Sequence, residues 1–302
     1  MIRAAIAIGS NSTRMLAADL GGSAPRPLLR LREDTKLFMG LDEGGFLSEE
    51  AMDRTVLAVS RLKAAALSVG CGEKNIDLYA TSATRDAQNR DEFSRRLQAS
   101  AGLSLYVMSG EEEAGLAFAA VADGTKTLAV DIGGGSAEII LGTERPEASV
   151  SLQAGASRLL KACPIAGAED VLPLTERLRK TVRDGAASIL DRSGGARVVL
   201  LGGTGTAARD ILTSRLPGGV ITAESALSLA GELAGLPLEV RRCVPGLPPA
   251  KAEHIVHGLC ILAAILHETG AKEATASSLT NLDGWMSRLN RKYREGGTAC
   301  EE

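Results

Sequence analysis

Short apolar runs and longer amphipathic stretches alternate along the chain, and this pattern predicts an α/β protein. In the first half, three apolar runs of strand length come first, and stretches with apolar residues at helical spacing then alternate with further strands. Ser48 can cap the first helix, which Gly70 ends, and Asn89 can cap the second, which ends at Gly102. A third helix is expected at 111–121. The strands expected in this half are 4–8, 15–20, 27–32, 76–80 and 103–108.

The second half repeats the order of the first. Three leading strands followed by alternating helices and strands, in tandem, predict two ribonuclease H-like (actin-like ATPase) α/β domains with the ligand in an interdomain cleft. The predicted strands are 127–132, 137–141, 148–152, 197–201 and one near Ala274. The predicted helices begin at Ala156, at Leu174 and in the turn 202–206, and others span 223–234, 251–269 and 282–291.

The boundary between the predicted domains lies near 121–125, where Ala122-Asp123-Gly124 interrupts a helix before the next strand. The first domain is therefore predicted at 1–121 and the second at 122–281. A C-terminal helix at 282–294 could pack back on the first domain. The tail after Gly296 is expected to be disordered.

Composition and charge narrow the classes of ligand. Among the 302 residues, only 3% are aromatic, so few rings are present for stacking on the bases of a nucleic acid. The net charge of −3 provides no broad positive field for a nucleic-acid backbone. We find no apolar run of about 18 residues and no signal-peptide pattern. We therefore expect a cytoplasmic protein without a nucleic-acid or membrane partner.

The cysteines and histidines do not form a metal-binding pattern. The chain has five cysteines, widely spaced and without a C-x-x-C pair, which is typical of reduced structural thiols. His254 and His257 have a spacing that could suit a metal ion, but we expect no cysteine and no third nearby histidine to complete such a site. We therefore expect these two histidines to take part in helix packing.

Two glycine-containing turns, each placed between two apolar strands, are candidates for phosphate binding. Asp131 ends one strand, Gly133-Gly134-Gly135-Ser136 follows with almost no side chains, and Glu138 enters the next strand. Such a loop lets backbone N–H groups converge on an anion, and the flanking carboxylates can hold a cation that bridges to its oxygens. The turn Gly9-Ser10-Asn11-Ser12 has the same placement in the first half. A third turn, 202–206, opens a helix.

The acidic run Glu111-Glu112-Glu113 follows Ser109-Gly110 at the start of a helix. Acidic residues in a first turn stabilise a helix dipole, which accounts for Glu111 and Glu112. Glu113 could instead project into the interdomain cleft and take a proton from a water molecule.

Together these residues can supply what phosphoanhydride hydrolysis needs: donors around the phosphate, a cation, and a group that aims water. We predict Glu113 and Glu138 as catalytic residues, with Glu113 deprotonating the water. Asp131 and Glu138 are the predicted ligands of Mg²⁺, with Mn²⁺ as the alternative. The predicted phosphate-binding residues are Ser10, Asn11, Ser12, Arg14, Arg85, Gly133, Gly134, Gly135, Ser136, Gly203 and Thr204.

At these motifs the chain resembles the exopolyphosphatase/guanosine pentaphosphate phosphohydrolase family of the actin–hexokinase-like superfamily. The resemblance implies Mg²⁺-dependent release of terminal phosphate from inorganic polyphosphate, from guanosine pentaphosphate, or from both, with Glu113 as the family's catalytic carboxylate. Together with the apolar helix 255–266 it also favours a homodimer. The motifs lie at 9–14, 80–87, 109–114, 131–138, 201–204 and 244–254.

The chain departs from the family pattern at two places. Family members usually carry Asp in the first strand where this chain has Ala7, and an acid there would help to place the cation or its waters. Near the C-terminus the family tends to have Leu-Arg-Glu-Gly, whereas this chain has Leu279-Thr280-Asn281-Leu282-Asp283-Gly284.

Two other functions fit the same residues. A phosphotransferase of the superfamily would pass phosphate to a carboxylic acid, ADP or a sugar, although its kinases normally use the acid that Ala7 replaces. A non-catalytic sensor would bind guanosine polyphosphates or polyphosphate and signal by domain closure. The longer relatives carry additional helical domains, so a short chain of two domains is expected to prefer short polyphosphates or nucleotides.

Overall fold

The computed structural model describes residues 1–216 and 218–295, which form two five-stranded sheets with helices. The predicted disorder after Gly296 lies outside the described residues. The first sheet has the order β3-β2-β1-β4-β5, in which β1, β2 and β3 are antiparallel and β4 and β5 run parallel to β1. Its strands are β1 (Ile2–Ile8), β2 (Thr13–Asp19), β3 (Arg26–Glu33), β4 (Ile76–Ala80) and β5 (Leu105–Val107).

The second sheet repeats this arrangement with the order β10-β9-β6-β7-β8. β6, β7 and β8 are antiparallel, whereas β9 runs parallel to β6 and β10 parallel to β9. The fold is therefore α/β, with two units of the ribonuclease H-like type. The strands are β6 (Thr127–Ile132), β7 (Ala137–Gly142), β8 (Pro146–Leu152), β9 (Arg197–Leu201) and β10 (Ala274–Ala276).

Helices follow the leading strands in both halves. The helices of the first half are α1 (Glu49–Ser68), α2 (Ser82–Asp86), α3 (Arg90–Ala101) and α4 (Gly110–Ala119). Those of the rest are α5 (Ala156–Ala162), α6 (Val171–Leu190), α7 (Gly202–Arg215), α8 (Ala223–Ala234), α9 (Leu238–Arg241), α10 (Ile255–Thr269) and α11 (Asn281–Arg294). Short 3₁₀ helices lie at Leu37–Gly40, Glu73–Asn75, Ala168–Asp170 and Pro249–Lys251.

The chain forms two compact units. The first comprises Met1–Ala120 together with the chain from Asn281 onward, and the second comprises Val121–Thr280. α11 packs on α4 within the first unit. Its Trp285 stacks on Tyr79 of β4 with ring centroids 5.1 Å apart, and the indole Nε1 donates a hydrogen bond to Asp77 at 3.0 Å.

Both faces of the first sheet are buried at β1, which explains why residues 4–8 of this central strand are all apolar. Ala4, Ile6 and Ile8 of β1 pack on the face that also buries residues of α1 and α3. Ala5 and Ala7 face the other side, among residues of α4 and α11. This alternation follows from the two-residue period of a β-strand.

In the second unit, α10 is buried along most of its length, from Ile255 to Leu266. It contacts α6 and α8 of its own unit. The apolar side chains that favoured a homodimer therefore serve the core of this unit, and the homodimer stays a prediction without their support. Within residues 1–216 and 218–295, no helix has both the length and the apolar character needed to cross a membrane.

Several element boundaries differ from the predicted ones. The helix predicted at 251–269 begins at Ile255, after the 3₁₀ helix Pro249–Lys251. Asn89 is the N-cap residue of α3, but its side chain makes two hydrogen bonds of 2.9 Å with the backbone of Leu47. α2 was not predicted, because its five residues are too few for a helical repeat to be visible.

Candidate active site

The first predicted phosphate turn connects β1 to β2. The N–H of Gly9 donates to the carbonyl of Ser12 at 3.1 Å and closes the turn. The segment before α1 holds the turn from one side. Lys36 N–H donates to the Asn11 carbonyl at 2.8 Å, and Phe38 N–H donates to the Ser10 carbonyl at 2.9 Å.

These hydrogen bonds fix the direction of the turn's N–H groups. In a planar trans peptide the C=O and the following N–H point in opposite directions. Because the carbonyls of Ser10 and Asn11 point toward 36–38, the N–H groups of Asn11 and Ser12 point away from that segment. The side chains of Ser10 and Ser12 are buried, and Arg14 Nε donates to the Ser12 hydroxyl at 3.2 Å.

The second predicted turn connects β6 to β7 and is closed in the same way. Gly133 N–H donates to the Ser136 carbonyl at 3.0 Å. Backbone N–H groups at the start of α5 bind two carbonyls of this turn. Ala156 N–H donates to the Gly133 carbonyl at 2.9 Å, and Ser157 N–H donates to the Gly134 carbonyl at 2.8 Å. Arg158 Nε donates to the Gly135 carbonyl at 2.6 Å.

By the same peptide geometry, the N–H groups of Gly134, Gly135 and Ser136 all point away from α5. The two turns are thus structural equivalents, each presenting consecutive N–H groups on the side opposite its support. The second turn lies very close to α5, since a Cβ added at Gly155 would collide with the backbone of Gly134 and Gly135. Such a nest of N–H groups is suited to an anion.

The two carboxylates beside the second turn face each other across two strands. Asp131 of β6 pairs directly with Glu138 of β7 in the antiparallel register. Side chains at directly opposed positions lie on the same face of a sheet. Glu138 is buried and its Oε1 accepts a hydrogen bond of 2.8 Å from the Ser151 hydroxyl, whereas Asp131 is partly buried.

The third predicted turn is the first turn of α7, which begins at Gly202. Asp131 of β6 lies beside Leu201 of β9, and a Cβ at Gly202 would collide with the Asp131 carboxylate. Gly203 and Thr204 follow in the first turn of α7, where backbone N–H groups are free of helical partners. The Thr204 side chain is buried, and a Cβ at Gly258 would come within 2.7 Å of its hydroxyl oxygen.

Lys251 is a residue at this site that the sequence reasoning missed. Its side chain is buried, and Nζ donates to the carbonyl of Gly203 at 2.5 Å. The ammonium group therefore lies beside the start of α7, although 48 positions separate the two residues in the sequence. Pro248 precedes the 3₁₀ helix that carries Lys251, and Pro249 begins it; these two prolines were the local signal of a fixed backbone here.

Glu113 is the buried member of the acidic run. Glu111 is exposed, and Glu112 forms a capping box with Ser109, with hydrogen bonds of 3.1 Å and 2.8 Å. A hydrogen bond from Tyr106, together with that from the Ser109 backbone N–H, lowers the pKa of Glu112 below its usual value. Only 8% of Glu113 is exposed, so Glu113 is more deeply buried than Glu111 and Glu112.

Arg85 lies beside Glu113. Its Nη1 donates to the Met108 carbonyl at 2.8 Å and lies 3.4 Å from Oε2 of Glu113. Within the described residues, the buried Nη2 of Arg85 has no hydrogen-bond partner. A buried guanidinium nitrogen without a partner indicates a position where a water or an anionic oxygen can bind.

Ala7 lies in β1 directly between Arg14 of β2 and Tyr79 of β4. Tyr79 is fully buried, and burial, together with the nearby Glu113 carboxylate, raises its pKa well above the usual value. Ala7 is 6% exposed in an apolar cluster with Tyr79 and Met108. At this position the first unit therefore offers a small apolar side chain beside a guanidinium.

The predicted site residues thus form one set in each unit. The set of the first unit consists of Ser10, Asn11, Ser12, Arg14, Arg85 and Glu113, and that of the second of Asp131, Gly133, Gly134, Gly135, Ser136, Glu138, Gly203 and Thr204. Lys251 and Arg158 join the second set.

These features define the class of protein: two ribonuclease H-like units, each with a closed turn between its first two strands. The profile of the Ppx/GppA phosphatase family matches residues 11–285. Similar solved structures include an exopolyphosphatase from Cytophaga hutchinsonii, with a TM-score of 0.86 and 20% identity, covering 96% of this chain and 98% of the other. The Ppx/GppA family member of Aquifex aeolicus has a TM-score of 0.77 and 23% identity, covering 99% of both chains.

Sequence relatives agree with this match. Exopolyphosphatase 1 of Mycobacterium tuberculosis is 33% identical over 161 residues, which cover 51% of this chain and 46% of that protein. The match thus spans about half the length of that relative. A candidate exopolyphosphatase of Haemophilus influenzae is 30% identical over 310 residues, covering 96% of this chain and 92% of the relative. The chain belongs to the Ppx/GppA phosphatase family.

Proposed function

We propose that this protein is a Mg²⁺-dependent phosphohydrolase that releases the terminal phosphate of inorganic polyphosphate, of guanosine pentaphosphate, or of both. The observation that carries the proposal is the pair of equivalent turns, whose N–H groups at Asn11 and Ser12 and at Gly134 to Ser136 are oriented by bonded carbonyls. Preorganised donors of this kind bind phosphoryl oxygens and stabilise charge that develops on them.

Glu113 is the proposed group that takes a proton from the attacking water. It is buried, so few water molecules compete for its carboxylate, and Arg85 lies 3.4 Å from it. The guanidinium favours the ionised carboxylate, which is the form that a general base needs. The buried Nη2 of Arg85 has a donor left for a phosphoryl oxygen or for the water itself.

Asp131 and Glu138 are the proposed ligands of the cation. Two opposed carboxylates fit Mg²⁺, because this ion is commonly held by one or two carboxylates while it retains water and binds substrate phosphates. The described residues contain no group of three or more His, Cys, Asp and Glu side chains that could hold a metal ion, so the proposed site rests on these two carboxylates. Bound Mg²⁺ would neutralise charge on the phosphate oxygens.

The remaining residues bind the polyanion. In the first unit, Arg14 and Arg85 are proposed to bind phosphate oxygens of the substrate. A guanidinium group can bind two such oxygens at once through parallel N–H donors. From the second unit, Gly203 and Thr204 contribute backbone N–H groups. The Thr204 hydroxyl is packed toward Gly258, so we assign its role to the main chain. Lys251 adds positive charge next to these N–H groups.

The substrate proposal draws on the relatives. Three of the similar proteins reported above carry the name exopolyphosphatase, and the matching family is described as the Ppx/GppA phosphatase family. Guanosine pentaphosphate enters the proposal from the resemblance of the sequence motifs. Inorganic polyphosphate and guanosine pentaphosphate both end in a phosphoanhydride-linked phosphoryl group. The turns described above are proposed to bind that shared group, and for this reason the proposal includes both molecules.

A phosphate-release panel tests the proposal. Tripolyphosphate, long-chain polyphosphate and guanosine pentaphosphate would each be incubated with the protein in Mg²⁺, in Mn²⁺ and in EDTA. We expect orthophosphate release from at least one substrate with a divalent cation and none in EDTA. Addition of a carboxylic acid, ADP or a sugar should leave the amount of free orthophosphate unchanged. Phosphate that moves to one of these acceptors instead would identify a phosphotransferase.

A second candidate function is favoured by one observation, the apolar environment of Ala7. Without a carboxylate between Arg14 and Tyr79, the first unit offers no acid at that register to hold the cation or its waters. The protein would then be a sensor that binds polyphosphate or guanosine polyphosphates without turnover. Calorimetric binding of these molecules with no phosphate release in either cation would favour the sensor.

A further inference from the structure

We infer that Arg158 is a positioning residue that orients the Ser136 N–H toward the phosphate and strengthens it as a donor. This inference rests on the proposed function, because it assigns a role within the same site. Arg158 lies in α5, on the side of the turn opposite to the N–H groups, so it acts through the backbone of Gly135 and does not contact the substrate.

The side chain of Arg158 holds the peptide group between Gly135 and Ser136 in place. Its Nε donates to the Gly135 carbonyl at 2.6 Å, and its backbone N–H donates to the Gly134 carbonyl at 2.9 Å. Its Nη2 donates to the Gln153 side chain at 2.9 Å, which fixes the plane of the guanidinium. The peptide between Gly135 and Ser136 is therefore held by a side chain, whereas the two before it are held by backbone N–H groups of α5.

A comparison of the two turns shows why the second needs this side chain. In the first turn, backbone N–H groups of Lys36 and Phe38 hold the carbonyls of two residues that carry side chains, Ser10 and Asn11. The second turn has three consecutive glycines, and the peptide group that follows Gly135 has a glycine on one side, which gives it more rotational freedom than a peptide between two residues with side chains. Without an external donor, the Gly135 carbonyl could turn to the phosphate side and present an acceptor to an anion.

The charge of Arg158 adds to its geometric role. A cation that donates to a carbonyl polarises the peptide, and hydrogen bonds in series strengthen one another. The N–H of Ser136, in the same peptide, becomes a better donor to phosphate. Lys251 makes the same kind of contact with the Gly203 carbonyl in the third turn, at 2.5 Å. Two cations of the second unit thus bind carbonyls of the predicted phosphate turns.

The test compares Arg158→Ala and Arg158→Lys with a control, Arg192→Ala, in steady-state hydrolysis of tripolyphosphate. Arg192 is a surface residue of the same unit, with 55% of its side chain exposed and a loose ion pair to Glu147 at 3.7 Å. We expect Arg158→Ala to raise KM about tenfold or more, as the loss of a charge-assisted hydrogen bond would. We expect Arg158→Lys to lie between this variant and the unaltered protein.

Chemical rescue distinguishes positioning from a general loss of structure. Millimolar guanidinium should restore part of the activity of Arg158→Ala, and equal ammonium should restore less, because only guanidinium has the planar donor of the missing side chain. Calorimetric binding of tripolyphosphate gives the same comparison if Arg158→Ala folds but turns over too slowly to measure. If Arg158→Ala does not fold, the KM of Arg158→Lys decides, and a value equal to that of Arg192→Ala contradicts the inference.

The inference is also overturned if Arg158→Ala matches Arg192→Ala in KM and in binding, or if guanidinium gives no rescue of a folded, impaired variant. These outcomes are separate from a failure of the proposed function. That failure would appear as an absence of hydrolysis by the unaltered protein, and the effect of Arg158 on tripolyphosphate binding would still be measurable.

Discussion

The guanidinium of Arg85 lies 3.4 Å from the carboxylate of Glu113, and both side chains are largely buried. One nitrogen of Arg85 also binds the Met108 carbonyl, and another is buried without a hydrogen-bond partner among residues 1–216 and 218–295. The pair therefore combines a carboxylate beside a guanidinium with a nitrogen that can donate to a bound group. In the proposed reaction, the carboxylate takes a proton from water while the donor binds oxygen.

Replacement of Arg85 tests this pairing. We expect Arg85→Ala to lower kcat about a hundredfold, because it removes a preorganised donor and leaves Glu113 buried without its cation. Arg85→Lys should retain part of the activity, since it keeps the charge but loses the fork geometry. Phosphate release measured against Mg²⁺ and substrate concentration checks this. Equal kcat values for both variants and the unaltered protein would exclude a role for Arg85.

The departure at Ala7 gives a second prediction. In the hydrolase account, Ala7→Asp should lower the Mg²⁺ concentration that gives half-maximal activity, because it restores an acid beside Arg14. The same change should destabilise the first unit by about 1–3 kcal/mol, since it buries a polar group among apolar residues. Metal titration and urea unfolding measure the two effects. Ala7→Asn, which adds similar bulk without charge, should show the destabilisation but not the change in metal dependence.

Gly155 gives a third prediction. A Cβ at this position would collide with the backbone of Gly134 and Gly135, so Gly155→Ala must displace the second turn. We expect weaker binding of tripolyphosphate and a higher KM. Gly194→Ala is the matched control, because a Cβ there meets no atom within 4 Å in the part of the chain that the structure describes. If both variants bind substrate equally well, the position of the second turn is not important for binding.

The sequence predicts the ten strands and their order along the chain because apolar runs and turn residues are local signals. It also identifies the residues of the two turns, since glycines between strands have a direct backbone meaning. The sequence distinguishes the role of Glu113 from those of Glu111 and Glu112 only in part. The capping role of Glu112 follows from its spacing to Ser109, but the burial of Glu113 depends on how α4 packs.

Residues that reach the turns from distant positions could not be predicted in this way. Arg158 and Lys251 contact carbonyls that lie 23 and 48 positions away in the chain, and neither belongs to a local pattern with its partner. Asn89 shows the same limit, since its side chain binds the backbone of Leu47 at a separation of 42 residues. Long-range hydrogen bonds depend on tertiary packing, which the periodicity of a single segment does not encode.

The pH dependence of stability gives a fourth prediction, centred on Glu268 in α10. Hydrogen bonds from Arg183 and Arg179 of α6 lower the pKa of Glu268 to about 2, from an ordinary value of 4.5. Because the folded pKa lies below the unfolded one, the stabilisation is present above about pH 4.5 and is lost as the pH falls toward 2. Glu268→Gln should destabilise the protein by about 1–3 kcal/mol at pH 7.

Chemical unfolding of Glu268→Gln and of the unaltered protein, measured between about pH 7 and about pH 3, checks this prediction. This interval includes the pH range in which linkage predicts the change in stability. The difference in the free energy of unfolding should shrink as the pH is lowered, because Glu268 of the unfolded protein binds a proton below about pH 4.5, whereas the folded Glu268 stays ionised until the pH approaches 2. A constant difference over this range would show that the ion pairs with Arg179 and Arg183 do not stabilise the packing of α10 on α6.

The most direct test of the central claim is the single-turnover rate of phosphate release by Glu113→Gln, compared with Glu111→Gln. Both residues lie in the first turn of α4, but Glu111 is exposed. The account predicts that Glu113→Gln lowers the rate about 10²- to 10⁴-fold with tripolyphosphate binding largely intact, and that Glu111→Gln has little effect. Release by Glu113→Gln at the rate of Glu111→Gln would contradict the assignment of Glu113 as the group that activates water.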